Sequence, residues 1–330
     1  MKTIRKPRIV LLLTCQTIVL SGLVLFLCGC SDHSNGIRIS INQFVFHPNL
    51  EATYKGFKDV VDQWALKKRM TVEYRLQNAN GDISLAMQIA RQQAAEKPSL
   101  ILALATPSAQ ATQKATGNIP IIFGAITDPV AAGLVKSYEN PGGNISGSSD
   151  QWPYQEQFEL IKQLRPRAKT VGILLNPGES NTISSLKLID AALEKTGLAK
   201  IEAPVTNTAE IYQAASSLVG RCDVFYAPAD NTVLSGLDAF VKVAEISKIP
   251  LFVGDEGSIS KGGCATYGMD YYELGKATGE IAIKVLEGVP VGTIPVATGK
   301  GSRLIINLDA AKRQGLEIPQ ELVKGAKLVR

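Results

Sequence analysis

Apolar and polar positions along this chain switch repeatedly between a period of two and a period near 3.6. Ile37-Arg38-Ile39-Ser40-Ile41 alternates and predicts a strand, and Leu50, Tyr54, Phe57, Val60, Val61 and Trp64 then recur at helical spacing. Val72–Leu76 reads as a strand and Ile83–Glu96 as a helix. Leu100–Ala105 and Ile119–Phe123 are short continuous apolar runs, as suits strands buried on both faces. The second half repeats the scheme. Phe158, Ile161 and Leu164 mark a helix stopping before Pro166, and Thr170–Leu175 reads as a strand. Ile183, Leu186, Ile189 and Leu193 mark a helix closed by Gly197, and Thr208 is the predicted N-cap of a helix through Leu218. Val224–Ala227 and Leu251–Val253 read as strands, and Leu274, Ala277, Ile281 and Val285 as a helix ending near Gly288. Repeated β-α-β-α order predicts parallel sheets covered by helices. An internal echo relates Ile101–Pro107 and Ile119–Gly124 to Val224–Pro228 and Ile249–Gly254, so two α/β units are expected in tandem. The glycine-rich seam Pro141–Gly147 reads as the first crossing between them.

The first thirty residues follow another pattern. Lys2, Arg5, Lys6 and Arg8 precede an almost uniformly apolar stretch from Ile9 to Leu27, followed by Leu27-Cys28-Gly29-Cys30. A basic start, an apolar stretch and small residues before a cut describe a secretory signal. Leu27 three positions before Cys30 resembles a bacterial lipobox, which implies cleavage after residue 29, a lipid on Cys30 and a tether over 30–36. The competing reading is an uncleaved membrane anchor, since such a stretch is long enough to span a bilayer. Either way the remainder is expected outside the cytoplasm.

Charge changes the picture once this segment is set aside. The 35 Lys+Arg fall to 31 without those four, against 30 Asp+Glu. A near-neutral body without a basic run gives no electrostatic case for nucleic acid. Cys222 and Cys264 are the cysteines left; an oxidising compartment permits a disulfide, and two separate buried thiols fit equally well.

Ligands of open parallel sheets sit beyond the carboxyl ends of the strands. Those ends carry Gln43, Phe44 and His47; Thr106 and Ser108; Thr127 and Asp128; Asp150, Trp152 and Tyr154; Asn181; Asp230 and Asn231; and Asp255. Thr106-Pro107 and Asp128-Pro129 each place a capping side chain before a proline at a helix start. The N–H groups at a helix start attract an anion, and neutral Thr106 leaves its helix open to a carboxylate. Asp150, Asp230 and Asp255 are candidates for pairing with an ammonium, and Phe44, Trp152 and Tyr154 for an apolar wall. The same polar residues also suit helix caps, and Trp152 and Tyr154 suit packing between lobes.

Catalytic chemistry lacks its usual groups. Beyond the signal only His33 and His47 remain, and no G-x-S-x-G, P-loop or dinucleotide fingerprint occurs. His and Cys are too few for a dedicated zinc site, and no cofactor is expected. A sensor would be expected to continue into a membrane helix, and a DNA-binding regulator would need a helix-turn-helix.

Across 37–320 the chain resembles the bacterial ABC-transporter substrate-binding lipoproteins related to the tryptophan- and tyrosine-binding type. The segments that carry the resemblance include Gln43-Phe-Val-Phe-His-Pro-Asn-Leu, Asn78-Ala-Asn-Gly-Asp, Ala105-Thr-Pro-Ser-Ala-Gln, Thr127-Asp-Pro-Val, Asn144-Ile-Ser-Gly-Ser-Ser-Asp, Asp230-Asn-Thr-Val and Gly268-Met-Asp-Tyr-Tyr-Glu-Leu-Gly. It implies a type I periplasmic-binding-protein fold: α/β, two Rossmann-like lobes with parallel sheets joined by a multi-strand hinge. Lobe one is expected over 37–149 and 270–301, and lobe two over 150–269 and 302–330. The resemblance further implies a monomer that clamps an aromatic amino acid and docks on an ABC permease with a separate ATPase. Ligand contacts are expected from Gln43, Phe44, Thr106, Ser108, Thr127, Asp150, Asn181, Asp230, Asn231 and Asp255. A sugar or nucleoside is the alternative ligand, and a secreted hydrolytic enzyme the alternative class.

Overall fold

The computed structural model describes residues 36–299 and 301–329, and the residues from Ile37 onward form one compact unit. The signal, Cys30 and most of the tether lie outside the described residues.

Two sheets carry the fold. The larger has six strands in the order β11-β5-β4-β3-β1-β2, where β1 is Gly36–Gln43, β2 Thr71–Asn78, β3 Leu100–Leu104, β4 Ile121–Ile126, β5 Ile145–Ser149 and β11 Ala297–Thr298. The pairs β1/β3, β3/β4, β4/β5 and β5/β11 are parallel. The second sheet runs β7-β6-β8-β9, all parallel, with β6 Thr170–Leu175, β7 Ala199–Pro204, β8 Val224–Tyr226 and β9 Leu251–Phe252. Beside it lie β10 (Ala265–Gly268), β12 (Arg303–Asn307) and β13 (Lys327–Val329), with β10 and β12 antiparallel. The Cys264 N–H donates to the Leu251 carbonyl at 2.8 Å and joins this small sheet to β9. Continuous apolar runs such as Leu100–Leu104 are buried along their full length, as two-sided helix cover requires.

The helices that matter for the cleft each begin just beyond a strand: α1 (Pro48–Lys68) after β1, α3 (Thr106–Ala115) after β3, α4 (Tyr154–Leu164) after β5, α5 (Ser180–Thr196) after β6, α7 (Asn231–Ser235) after β8, α9 (Glu256–Ser260) after β9 and α10 (Tyr271–Leu286) after β10. The intervening α2 (Ile83–Glu96) and α6 (Ile211–Ser217) cover the sheets, as does α8 (Leu237–Ser247). The chain passes between the two sheet systems three times: between β5 and α4, between β10 and α10, and between β11 and β12.

Several local expectations are corrected. The seam around Gly147 is not a crossing but strand β5, the crossing following at Asp150. Its small residues answer to packing, since a Cβ at Gly147 would lie 2.0 Å from the Phe123 carbonyl oxygen. Thr208 does not cap the following helix. It begins a 3-10 turn over Thr208–Glu210 that Asn207 caps, accepting from Ala209 N at 3.0 Å, and α6 follows with Glu210 at its N-cap and no side-chain cap bond. Asp128 accepts from Val130 and Ala131 N–H groups at 3.1 and 2.9 Å and closes a turn, not a helix. Thr106 is the first residue of α3, and its N-cap is Ala105, at φ 74° and ψ 154°. Cys222 and Cys264 are both free thiols.

Candidate functional site

The carboxyl ends of β1, β3, β4, β6 and β8 face a small enclosed cavity between the two sheet systems. With the lobes as they stand the cavity has a volume of about 20 Å³, room for about one water. One side presents His47, Asn49 and Leu50 at the start of α1, Thr106 at the start of α3, and Ala125 and Thr127 from β4 and its end. The facing side presents Asn181 from α5 and Ala229, Asn231 and Leu234 around α7. Asp150, Trp152 and Tyr271 come from the crossings. Two larger concavities lie elsewhere, one around Leu164–Ala168 and one along α10 and 294–303. None of the buried side-chain atoms that lack a partner belongs to a residue lining either.

Thr106, Thr127, Asp150, Asn181 and Asn231 thus line the cavity as the sequence suggested. Gln43, Phe44, Ser108, Asp230 and Asp255 do not. The Gln43 amide donates to Glu51 at 2.5 Å, and Phe44 sits in the core at 1% exposure. The Ser108 hydroxyl donates to Asn42 Oδ1 at 3.0 Å. Asp230 caps α7 through Val233 N at 2.9 Å, while its other oxygen accepts from Asn176 N and the Thr182 hydroxyl at 2.5 and 2.7 Å. Asp255 caps α9 through Ser258 N at 2.8 Å with Oδ1, while its Oδ2 is buried with no hydrogen-bond partner. One oxygen of each of these two carboxylates turns back on its own helix start and satisfies an orphan N–H group there. Tyr154 also faces inward, its hydroxyl donating to Ser185 at 2.7 Å.

His47, Asn49, Leu50, Ala125, Ala229, Leu234 and Tyr271 line the cavity without having been chosen as ligand contacts from sequence. Tyr271 lies in the recognised segment Gly268–Gly275, but only the second crossing, between β10 and α10, places it beside Asp150.

The crossing residues form a relay. Trp152 Nε1 donates to the Tyr271 hydroxyl at 2.8 Å, and that hydroxyl donates to Asp150 Oδ2 at 2.6 Å. Trp152 is wedged against Gly254, where a Cβ would lie 1.8 Å from the indole. Burial pushes the Asp150 carboxyl up to about 6. Hydrogen bonds from Tyr271, its own backbone and Thr127 hold it down, while the Asp255 charge adds to the rise. Burial also raises Asp255 and Asp230, the latter further through the neighbouring Glu179 carboxylate.

Across the cleft, His47 Nε2 meets Asn231 Oδ1 at 3.2 Å. Burial lowers the imidazole to about 4, with the Asn231 bond opposing and the Lys261 charge assisting. The ring is therefore neutral at physiological pH. Asp150 Oδ1, Asn181 Oδ1 and His47 Nδ1 are buried with no hydrogen-bond partner. Among the described residues no Lys or Arg lines the cavity. On the α3 side the first intrahelical donor is Ala109 N, to Ala105 O at 3.1 Å, so the Thr106 and Ser108 N–H groups have no acceptor within the helix.

Two α/β lobes joined by three crossings, enclosing a small polar cavity, define a clamp of the periplasmic-binding-protein kind. The profile of the family described as ABC transporter substrate binding protein matches residues 38–330, and this chain belongs to that family. It is 42% identical over 282 residues to a tyrosine-binding protein of Clostridioides difficile (strain R20291), covering 86% of this chain and 82% of that protein. The fold superposes with a TM-score of 0.85 on a Streptococcus pneumonia ABC domain in complex with L-Trp, 35% identical, covering 89% of this chain and 100% of that one. Against the ligand-free, open structure of a Clostridium difficile substrate-binding protein with adhesive properties the TM-score is 0.66, although identity is 39% over 89% of this chain and 99% of that one. The chain thus superposes better on the L-Trp complex than on the ligand-free, open structure, although its identity to the latter is higher. Members of the family bind a small solute outside the cytoplasm and work with a transporter. Among the described residues no helix is long and apolar enough to cross a membrane.

Proposed function

We propose that this chain is the receptor of an ABC importer for an aromatic L-amino acid, with tyrosine and tryptophan as the first candidates. The observation that carries the reading is the set of unpartnered acceptors on Asp150, Asn181 and His47. An ammonium brings three donors and no acceptor, and a desolvated carboxylate is its strongest partner. The ligand's carboxylate goes to the open start of α3 at Thr106, and Leu50, Trp152 and Leu234 supply apolar wall. The tyrosine- and tryptophan-binding relatives support the aromatic side chain.

The lobes hinge at the three crossings, lobe one spanning 37–149 and 270–301 and lobe two 150–269 and 302–330. Ligand contacts to both faces favour the closed form, which docks on the permease and its ATPase. Cys30 carries the lipid that holds a monomeric receptor at the membrane, and the receptor performs no catalysis. Thermal unfolding of residues 31–330 against amino acids, sugars and nucleosides tests the ligand class. A ligand at a hundred times its Kd stabilises by about 2.7 kcal/mol. A rise in Tm confined to aromatic amino acids is expected. A rise confined to sugars or nucleosides would overturn the ligand assignment while keeping the clamp.

A further inference from the structure

Two asparagines of the cleft wall, Asn181 and Asn231, are tied to one carboxylate outside it. Glu179 precedes α5, is 1% exposed and does not line the cavity. Its Oε2 accepts from Asn181 Nδ2 at 3.1 Å, Asn231 N at 3.1 Å and Asn231 Nδ2 at 2.6 Å. Its Oε1 accepts from Thr232 N at 3.0 Å and the Thr232 hydroxyl at 2.8 Å. A carboxylate takes only the NH₂ face of an amide, so both side chains are fixed with Oδ1 turned away from Glu179. For Asn181 that oxygen is one of the unpartnered acceptors; for Asn231 it is the atom His47 Nε2 meets. Because Asn231 offers an oxygen, the neutral imidazole must carry its proton on Nε2, leaving Nδ1 as a lone-pair acceptor.

We infer that Glu179 is a positioning residue for amine recognition, holding Asn181 as an acceptor directly and His47 as one through Asn231 across the cleft. This rests on the ammonium reading above. The α7 start already holds this internal carboxylate, whereas no side chain caps the α3 start.

The test compares L-tyrosine and L-tryptophan with 3-(4-hydroxyphenyl)propionate and 3-(indol-3-yl)propionate, which lack the amine, by calorimetric titration of residues 31–330. In Glu179→Gln one acceptor oxygen becomes a donor, and the negative charge that orients both amides is removed. The Kd for the amino acids should rise about tenfold or more, and that for the amine-free acids should stay within about twofold. Thr232→Val removes a bond to the same carboxylate, and one from Asn176 Nδ2, without touching the Asn181 or Asn231 amide, and should leave that ratio unchanged. An unchanged ratio in Glu179→Gln would overturn the inference alone. Wild-type protein binding neither amino acid would overturn the functional reading and the inference with it. A reading independent of any variant comes from ¹⁵N-histidine NMR of wild type, in which only His33 and His47 report. His47 should show the Nε2–H tautomer near pH 7, and an Nδ1–H tautomer or an imidazolium would refute the relay.

Discussion

Replacing Asp150 with asparagine should make the ligand-free protein more stable and the receptor nearly useless. The carboxyl is fully buried, and its rise from 3.8 to about 6 means that folding disfavours the ionised form. At 1.36 kcal/mol per pKa unit this is a penalty of about 3 kcal/mol, carried whenever the pH lies above both values. The sign follows from linkage. A folded value above the unfolded one gives stability that is fully present below pH 3.8 and lost as the pH rises through about 6. Asparagine keeps the acceptor for the Tyr271 hydroxyl and removes the charge. At pH 7.5 the ligand-free variant should therefore melt higher by up to about 6 °C, taking roughly 2 °C per kcal/mol for a chain of this size. Its advantage should vanish near pH 4.

His47 contributes in the opposite sense. Its folded value near 4 lies below the ordinary 6.5, so its contribution is present above pH 6.5 and lost on acidification through 4. Both proteins carry His47, and its effect cancels in the difference between them. Ligand binding should move the other way. Truncating one partner of a buried charge pair costs about 2–5 kcal/mol, a loss of at least about thirtyfold in affinity for tyrosine or tryptophan. Wild-type affinity should also fall as the pH drops below 6 and Asp150 takes up a proton. Melting curves of both proteins between pH 4 and 8, with calorimetric titration at each pH, read all of this. A variant that melts lower than wild type at pH 7.5, or that binds the amino acid equally well, would refute the assignment of Asp150 as the desolvated partner of the ammonium.

Three further outcomes are expected. Ala105 sits at φ 74° and ψ 154°, a region open essentially to glycine alone, so Ala105→Gly should stabilise by about 1 kcal/mol in urea denaturation, and destabilisation would contradict stored strain there. Thr106→Ala should weaken amino-acid binding while leaving the melting temperature of the ligand-free protein within about 1 °C, the profile of a surface contact facing ligand. Gly254→Ala puts a methyl 1.8 Å from the Trp152 ring and must displace it; ligand affinity should fall as the Trp152–Tyr271–Asp150 relay loosens, with Trp152 fluorescence reporting the shift.

The strand-helix alternation was legible because both-face burial leaves apolar runs such as Leu100–Leu104 and Thr170–Leu175. Strand β5 was not, because Ser146 and Ser148 bury their hydroxyls on Ile294 O and Thr278, and Gly147 lies against Phe123. Small polar residues that pair inside a sheet look like a turn when read one after another. The short edge strand β11 and the pair β12/β13 depend on segments far apart in sequence, which no local pattern reports.

The candidate site was half legible for a similar reason. Sequence places polar residues at the strand ends but does not say which of two neighbours turns inward. At Asp230-Asn231 the cap bends back to its own helix and the next residue lines the cavity. At Glu179 with Asn181, Ala105 with Thr106 and His47 with Asn49 a residue just past the N-cap position again lines the cavity, although none of these three N-cap residues bonds its own helix through its side chain and His47 lines the cavity as well. Where an N-cap side chain bonds its own helix and its neighbours, as at Asp230, its oxygens are spent, whereas residues one or two positions further on project from the helix start toward the opposite lobe. His47 is the exception that fits: it makes no side-chain cap bond, and its ring is free to reach Asn231. In a clamp built from helix starts, the ligand-facing chemistry thus lies just past the caps, and a cap enters the cavity only where it does not cap.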